Sequence, residues 1–263
     1  MHIITVSSFK GGTAKTSTLL HIGSALAKFH RKKVLLIDFD AQANLTTGLG
    51  FDPDHYDSLA PVLQKEKAID EIIVHTSLSG LDLIPADSYL ERVEVTGMLA
   101  SDRYSHERLQ MLIQRLDYDF ILIDTPPSLC WLTESALIAC NYCLICATPE
   151  FYSIKGLSRL SIFLSQIATR HPFDVLGVVL SFWNARGKNN EAFLSSIQRS
   201  FPEKILNTKI RRDIAVSAAS IQGKPVFDLA TQSRASEDYK SLTDEIFSKC
   251  KMPVHCLLYT SPS

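Results

Sequence analysis

The chain lacks an apolar run long enough to span a membrane, an internal repeat and a low-complexity linker. A spanning helix needs about 20 consecutive apolar residues. The first residues already form an apolar, β-branched run with no basic and apolar leader before it. An excess of one charge is also lacking, since 27 Lys and Arg stand against 28 Asp and Glu among 263 residues. We therefore expect one cytoplasmic domain over residues 1–252 with a single large core and no membrane partner.

The six cysteines do not form a convincing metal-binding pattern, although Cys140, Cys143 and Cys146 are spaced by three residues. Cys143 and Cys146 lie in an apolar run typical of a buried strand. Residues three apart on a strand face opposite sides of the sheet. We interpret these cysteines as buried, reduced thiols that pack as small apolar side chains.

Apolar runs typical of buried strands alternate with helix-periodic segments along most of the chain. The strands are predicted near 2–7, 34–39, 81–85, 119–124, 143–148 and 175–182. The helices are predicted near 16–30, 104–116, 131–140, 153–170, 190–200 and 234–250. This alternation predicts a three-layer α/β fold, with helices on both faces of a mostly parallel sheet. The periodicity stops at Pro253, so we interpret residues 253–263 as a disordered tail or a cloning scar.

Residues 10–17, Lys-Gly-Gly-Thr-Ala-Lys-Thr-Ser, stand between the first predicted strand and the first predicted helix. A glycine turn in this position directs backbone N–H groups at phosphates, and the helix N-terminus adds a positive dipole end. Lys15 is expected to reach the β- and γ-phosphates, and Thr16 to supply a hydroxyl to Mg²⁺. The candidate residues for binding a nucleoside triphosphate are Lys10, Gly11, Gly12, Thr13, Ala14, Lys15, Thr16 and Ser17.

The loop departs from the usual P-loop pattern at two positions. Ala14 occupies the position of the second glycine, and an additional lysine, Lys10, opens the loop. An alanine there costs little if its φ is negative and is strained if its φ is positive.

Two later strands end in carboxylates that belong beside this loop, because ligands bind at the carboxyl ends of strands in open α/β sheets. The first strand leads into Asp38 and Asp40, and the second into Asp124 followed by Thr-Pro-Pro. Asp40 is our candidate for orienting the attacking water. Asp124 is placed to hold Mg²⁺ as a Walker-B carboxylate does. The candidate Mg²⁺ ligands are Thr16, Asp40 and Asp124.

These motifs resemble those of the ParA/Soj partition ATPases in the deviant Walker-A (MinD/ParA) group of P-loop NTPases, and chlamydial ParA-like proteins most closely. The similarity runs from about His2 to about Cys250. Besides the loop, it includes residues 38–44, 124–127, 148–150 with Gly156, 208–213, 223–226 and 233–237. The family usually has glycine at position 14 and proline at position 41, where this chain has Ala14 and Ala41.

The resemblance implies an ATP- and Mg²⁺-dependent homodimer in which Lys10 crosses to the partner subunit's phosphates. It assigns catalytic roles to Lys10, Lys15 and Asp40, and the Walker-B role to Asp124. It also implies a slow ATPase that a ParB-like protein accelerates, and it places part of the adenine pocket just before Gly223. The cargo can be a chromosome, a plasmid or a protein cluster.

Positive charge is concentrated late in the chain. Residues 183–234 carry nine Lys and Arg against four Asp and Glu, whereas residues 1–182 carry 15 against 20. Such residues can contact phosphates without reading bases. The resemblance implies that this region binds nonspecific double-stranded DNA and associates the protein with the nucleoid. The candidate DNA-binding residues are Arg186, Lys188, Lys209, Arg211, Arg212 and Lys224.

Two other functions share these nucleotide motifs. A MinD-like membrane positioner needs a basic amphipathic C-terminal helix. Here the polar face of the last predicted helix is substantially acidic, so we expect its apolar stripe to pack against the sheet. That stripe consists of Tyr239, Leu242, Ile246 and Cys250. The second alternative is a nucleotide-gated DNA-binding protein that scarcely hydrolyses ATP, in which Asp40 is only structural.

Overall fold

The computed structural model describes residues 1–95, 102, 104–149 and 153–251. Within these residues, eight strands form one sheet in the order β3-β4-β2-β5-β1-β6-β7-β8. The strands are β1 (His2–Ser7), β2 (Val34–Asp38), β3 (Val74–His75), β4 (Leu81–Ile84), β5 (Phe120–Asp124), β6 (Tyr142–Ala147), β7 (Asp174–Trp183) and β8 (Ile205–Arg211). The predicted tail at 253–263, and Glu150 of the family motif, lie outside the described residues.

Adjacent strands pair in parallel, except that β3 pairs antiparallel with β4. β1 lies between β5 and β6, and Asp38 at the end of β2 is in register with Asp124 at the end of β5. The carboxyl ends of the parallel strands therefore meet at one edge of the sheet. The predicted α/β fold with a mostly parallel sheet is confirmed.

Helices cover both faces of the sheet. The α-helices are α1 (Lys15–His30), α2 (Asn44–Gly48), α3 (Leu59–Leu63), α4 (Tyr89–Val95), α5 (Arg108–Ile113), α6 (Trp131–Ala139), α7 (Ser153–Ala168), α8 (Asn190–Ser200), α9 (Ile214–Ile221), α10 (Val226–Leu229) and α11 (Arg234–Lys251). Two 3-10 turns lie at Pro53–His55 and Ile69–Ile72. Buried side chains of α1, α10 and α11 form one core, and those of α3 to α8 form the other. Cys143 belongs to the second core and Cys146 to the first, as expected for residues three apart on a strand.

The sequence pattern missed both edge strands. β3 has only two residues, and β8 alternates buried and polar residues without the apolar run of a central strand. The outer edge of β8 is protected by α11, because the Glu245 carboxylate accepts hydrogen bonds from the N–H groups of Asn207 and Thr208 at 2.9 Å each. Such protection prevents unwanted pairing with another strand. The helix predicted over 104–116 forms only at Arg108–Ile113, since residues 104–107 are turns.

The apolar stripe of α11 is buried. Tyr239, Leu242, Ile246 and Cys250 belong to the core that α11 shares with α1. This confirms the expectation that the stripe packs inside the protein. Among the described residues, no helix is both long and apolar enough to cross a membrane.

Candidate nucleotide-binding site

The loop between β1 and α1 leaves the N-terminus of α1 open. Gly12 has a φ of 75°, which a glycine adopts without strain. α1 begins at Lys15 with no side chain capping it and no acidic residue in its first turn. The N–H groups of a first helical turn have no acceptor within the helix. Together with the helix dipole, they make this end of α1 an anion-binding position.

Ala14 adopts the left-handed conformation, with φ 58° and ψ 26°. Because its φ is positive, Ala14 is strained in this loop. A non-glycine residue in this region costs about 1–2 kcal/mol. The backbone thus keeps the shape of a glycine-containing loop even though the second glycine is absent.

A cleft of about 390 Å³ lies in front of this helix end. Its lining contains every predicted loop residue from Lys10 to Ser17, together with Asp40. The other lining residues are Ser8, Leu20, Gln42, Asn44, Gly48, Pro127 and Ser220. Gln42, Asn44 and Pro127 belong to the motifs that the sequence singled out. Ser220 lies just before Gly223, where the family resemblance places part of the adenine pocket.

Lys15 and Thr16 meet the carboxylate of Asp124 beneath the cleft. The Lys15 Nζ lies 2.7 Å from Asp124 Oδ1, and the Thr16 hydroxyl donates to Asp124 Oδ2 at 2.6 Å. Lys15 and Asp124 are both buried. Burial disfavours the ammonium, but the neighbouring Asp124 carboxylate outweighs it and raises the pKa of Lys15. A buried cation is thereby kept charged next to the open helix end.

Asp38 is a second buried carboxylate beside Asp124, and it holds the segment that follows β2. Its Oδ2 accepts hydrogen bonds from the Thr46 N–H at 2.9 Å and the Thr46 hydroxyl at 2.7 Å. The Thr46 hydroxyl oxygen in turn accepts the Ala86 N–H. Burial, and then the charge of Asp124, raise the pKa of Asp38 to about 7.

Asp40 lines the cleft, and its carboxylate accepts the Gln42 N–H at 3.1 Å. Burial raises the pKa of Asp40, although the hydrogen bond from Gln42 and the charge of Lys15 oppose the shift. A partly desolvated carboxylate at this position can accept a hydrogen bond from a water molecule in the cleft. The placement agrees with the role predicted for Asp40, which stays a prediction.

The positive groups and the oxygen ligands around the cleft fit a triphosphate with Mg²⁺. The open helix end and Lys15 present positive potential, and Thr16 and Asp124 present oxygen atoms of the kind that Mg²⁺ binds. The Thr13 hydroxyl, at the centre of the loop, is buried without a hydrogen-bond partner among the described residues. A buried hydroxyl of this kind costs free energy unless a partner satisfies it.

Two glycines join the segment after Asp40 to the segment before α10. Gly50 and Gly223 have φ values of 83° and 63°, and a Cβ on Gly223 would lie 2.5 Å from the Gly50 Cα. The close approach itself requires a glycine at position 223, and the positive φ of Gly50 favours a glycine there. The contact brings α9, with Ser220, to the rim of the cleft.

Five of the predicted DNA-binding residues lie near the carboxyl ends of β7 and β8, whereas Lys224 follows α9, next to Gly223. Arg186, Lys188, Arg212 and Lys224 are exposed, and Lys209 is half-buried. Arg211 differs from the others because its guanidinium binds the Asp238 carboxylate, with Nη2 and Oδ1 2.7 Å apart, and also contacts Glu237. Its positive charge is therefore compensated within the protein.

The sheet topology, the glycine turn before α1 and the buried Lys15–Asp124 pair define a P-loop nucleotide-binding protein. A protein-family profile described as "AAA domain" matches residues 1–175. A "ParA family protein" of Chlamydia trachomatis is 66% identical over 248 residues, which cover 94% of this chain and 97% of that protein. The "Chromosome partitioning protein ParA" of Caulobacter vibrioides is 33% identical, with 95% of each chain covered. The chain belongs to the ParA family.

Solved structures agree with this assignment. Cobyrinic acid a,c-diamide synthase from Mycobacterium smegmatis, with bound ATP analog and magnesium, gives a TM-score of 0.83 at 26% identity, covering 95% of this chain and 96% of that one. The cell division ATPase MinD from Pyrococcus furiosus gives 0.76 at 27% identity, covering 94% and 98%. The chain is a ParA-type ATPase, and its nucleotide and metal are ATP and Mg²⁺.

Proposed function

We propose that this protein is a DNA-partitioning or positioning ATPase. Its ATP-bound homodimer holds nonspecific double-stranded DNA in the cytoplasm, on the nucleoid, and a ParB-like protein stimulates the hydrolysis that releases it. The observation that carries the proposal is the common edge of the sheet. The nucleotide cleft follows β1, and the basic residues follow β7 and β8 at the same edge.

In this proposal different residues of the cleft bind the phosphates, the metal ion and the attacking water. The N–H groups at the start of α1 and the Lys15 ammonium bind the phosphates, and Thr16 and Asp124 hold Mg²⁺. Asp40 completes the metal surroundings and orients water. When bound by Thr16 and Asp124, Mg²⁺ would supply positive charge beside the phosphates.

A second copy fits the rim of the cleft because α9 exposes an apolar stripe there. Ile214 and Ile221, one helix length apart on α9, are 89% and 87% exposed. Ser220 of the same helix lines the cleft. A partner subunit whose Lys10 reaches this cleft would lie against α9 and cover the two isoleucines.

We predict that changing Ile214 and Ile221 together to glutamine weakens the ATP-dependent dimer about tenfold or more, because each buried isoleucine contributes about 1.5–3 kcal/mol. Glutamine keeps the helix propensity. Light scattering at several protein concentrations, with a nonhydrolysable ATP analogue, measures the dissociation constant. The matched control is Ile162→Gln, since Ile162 is 61% exposed on α7, away from the cleft. Equal dimerisation of the double variant and the control would show that α9 is not at the interface.

The segment from Arg211 to Lys224 connects the DNA-binding region to the nucleotide. It leaves β8, forms α9 at the rim of the cleft and reaches Gly223, which touches Gly50. Neighbouring strands are about 4.8 Å apart, so β1 and β7 are separated by on the order of 10 Å. In the proposed switch, the γ-phosphate orders the segments after Asp40 and Asp124, and its loss relaxes them.

The test is DNA retention at several salt concentrations with ATP, with ADP and without nucleotide. We expect retention only with ATP, and a steep loss of affinity with salt because the contacts are to phosphates. A ParB-like protein should then increase phosphate release from the DNA-bound ATPase. The same retention in all three nucleotide states would contradict the proposal.

A further inference from the structure

The cations at the ends of β7 and β8 are held in two different ways. The guanidinium of Arg211 binds the carboxylates of Asp238 and Glu237. Lys209 and Arg212 instead lie over aromatic rings. The Lys209 Nζ is 4.9 Å from the centroid of the Trp183 ring, and the Arg212 Cζ is 5.7 Å from the centroid of the Phe182 ring. An aromatic ring holds a cation without cancelling its charge.

The backbone of Phe182 is strained. Its φ is 53°, in the left-handed region that a bulky residue rarely adopts. Despite this cost, the side chain remains 41% exposed. Phe182 lies where the pairing of β7 with β8 shifts register, between Leu180, which pairs with Lys209, and Trp183, which pairs with Arg211. Strain of this kind persists where the surrounding structure enforces it, and it is often found at functional positions.

We propose that Phe182 and Trp183, together called the aromatic shelf, hold Arg212 and Lys209 respectively in position to bind the phosphate backbone of duplex DNA. The proposal rests on the DNA-binding function proposed above and names its positioning residues. Arg186 and Lys188 follow the shelf at once, around a turn closed by the hydrogen bond from the Gly187 N–H to the Asn184 carbonyl at 2.9 Å. These two cations therefore follow the shelf closely along the chain.

A cation that lies over an aromatic ring keeps its hydrogen-bond donors available, because the ring is not a hydrogen-bonded partner. A guanidinium over a ring keeps its in-plane N–H donors for a phosphate. Holding a long side chain in place before binding also reduces the rotamer entropy lost on binding. Because Arg212 lies over the Phe182 ring, the shelf presents a cation rather than a bare ring for base stacking. The arrangement therefore favours a duplex backbone over unpaired bases.

Phe182→Leu tests the shelf, and Phe29→Leu is its matched control. Phe29 is 42% exposed on α1, and Lys240 Nζ lies 5.3 Å from its ring centroid. Affinity for duplex DNA is measured with a nonhydrolysable ATP analogue across a salt series. We expect Phe182→Leu to weaken binding about two- to fivefold. The salt dependence should stay unchanged because both cations remain, whereas Arg212→Ala should lower the slope by about 0.9.

A second variant separates positioning from folding. Phe182→Gly relieves the strained backbone, so thermal stability should be kept or raised while duplex binding falls at least as far as in Phe182→Leu. A purely structural role predicts that stability and binding fall together. The proposed role of the shelf would be contradicted if both Phe182 variants bound duplex DNA with wild-type affinity, or if Phe29→Leu lost as much affinity as they do.

The wild-type protein and a single-stranded probe complete the experiment. If the wild type binds no duplex with the ATP analogue, the proposed function fails and the shelf fails with it. If the wild type binds and both Phe182 variants bind equally well, only the shelf is overturned. A loss confined to single-stranded DNA would mean that Phe182 stacks on bases, which also overturns positioning of cations on a duplex backbone.

Discussion

Asp40→Asn is expected to lower the rate of phosphate release about a hundredfold or more while ATP binding is retained. Asparagine keeps the shape of the side chain and an oxygen that can accept the Gln42 N–H, which the Asp40 carboxylate accepts at 3.1 Å. It removes the negative charge and one strong acceptor facing the cleft. Positioned acid–base groups contribute about 10²–10⁴-fold to rates. Single-turnover phosphate release and equilibrium ATP binding measure the two quantities separately.

The control for Asp40→Asn is Asp54→Asn, the same chemical change at an exposed residue outside the cleft. It should release phosphate at the wild-type rate. The assay should include DNA and the ParB-like protein, because the wild-type rate alone is expected to be slow. Equal rates in wild type and Asp40→Asn under these conditions would favour the alternative of a nucleotide-gated DNA-binding protein that scarcely hydrolyses ATP.

The centre of the sheet was predictable because its strands carry a simple signal. β1, β2 and β5 are short apolar runs, and each ends where a polar motif begins. Parallel strands place those motifs at one edge, which is why the sequence predicts that Asp40 lies beside the loop of Lys15. β8 carried no such signal, since its stability comes from pairing with β7 and from α11 rather than from its own residues.

Partners that are distant in sequence could not be predicted. A row of basic residues identified the region around β8, but only the folded chain shows that Arg211 faces Asp238 whereas Arg212 faces Phe182. The positive φ of Phe182 and the contact of Gly50 with Gly223 likewise depend on tertiary structure. The family pattern indicated a strained position only at Ala14, where a glycine is usual.

Lys15→Met is expected to abolish ATP binding and to lower the free energy of unfolding by about 3–5 kcal/mol, because it leaves Asp124 buried without its cation. Thermal and denaturant unfolding measure the loss. Lys28→Met is the control on the same helix. The Lys28 partner is Asp228, in an ion pair at the surface, and such pairs contribute about 0–1 kcal/mol.

The stability that Lys15→Met loses should increase with pH. The pKa of Asp38 is already raised to about 7 by burial and by Asp124. Without the positive charge of Lys15, the folded protein holds the proton of Asp38 to a still higher pH, whereas the unfolded chain releases it near pH 3.9. The folded state then binds more protons than the unfolded state, so stability falls as the pH rises through that window. The difference in free energy of unfolding between wild type and Lys15→Met should therefore be larger at about pH 9 than at about pH 6.

A double variant separates the fold from the nucleotide site. Lys15→Met combined with Asp124→Asn removes both buried charges, and replacing both partners of such a pair is often neutral for stability. We expect it to regain most of the lost stability and still to bind no ATP, because the phosphate cation is absent. If the double variant bound ATP as the wild type does, Lys15 would be only a structural partner of Asp124, and the cleft would need another source of positive charge for the phosphates.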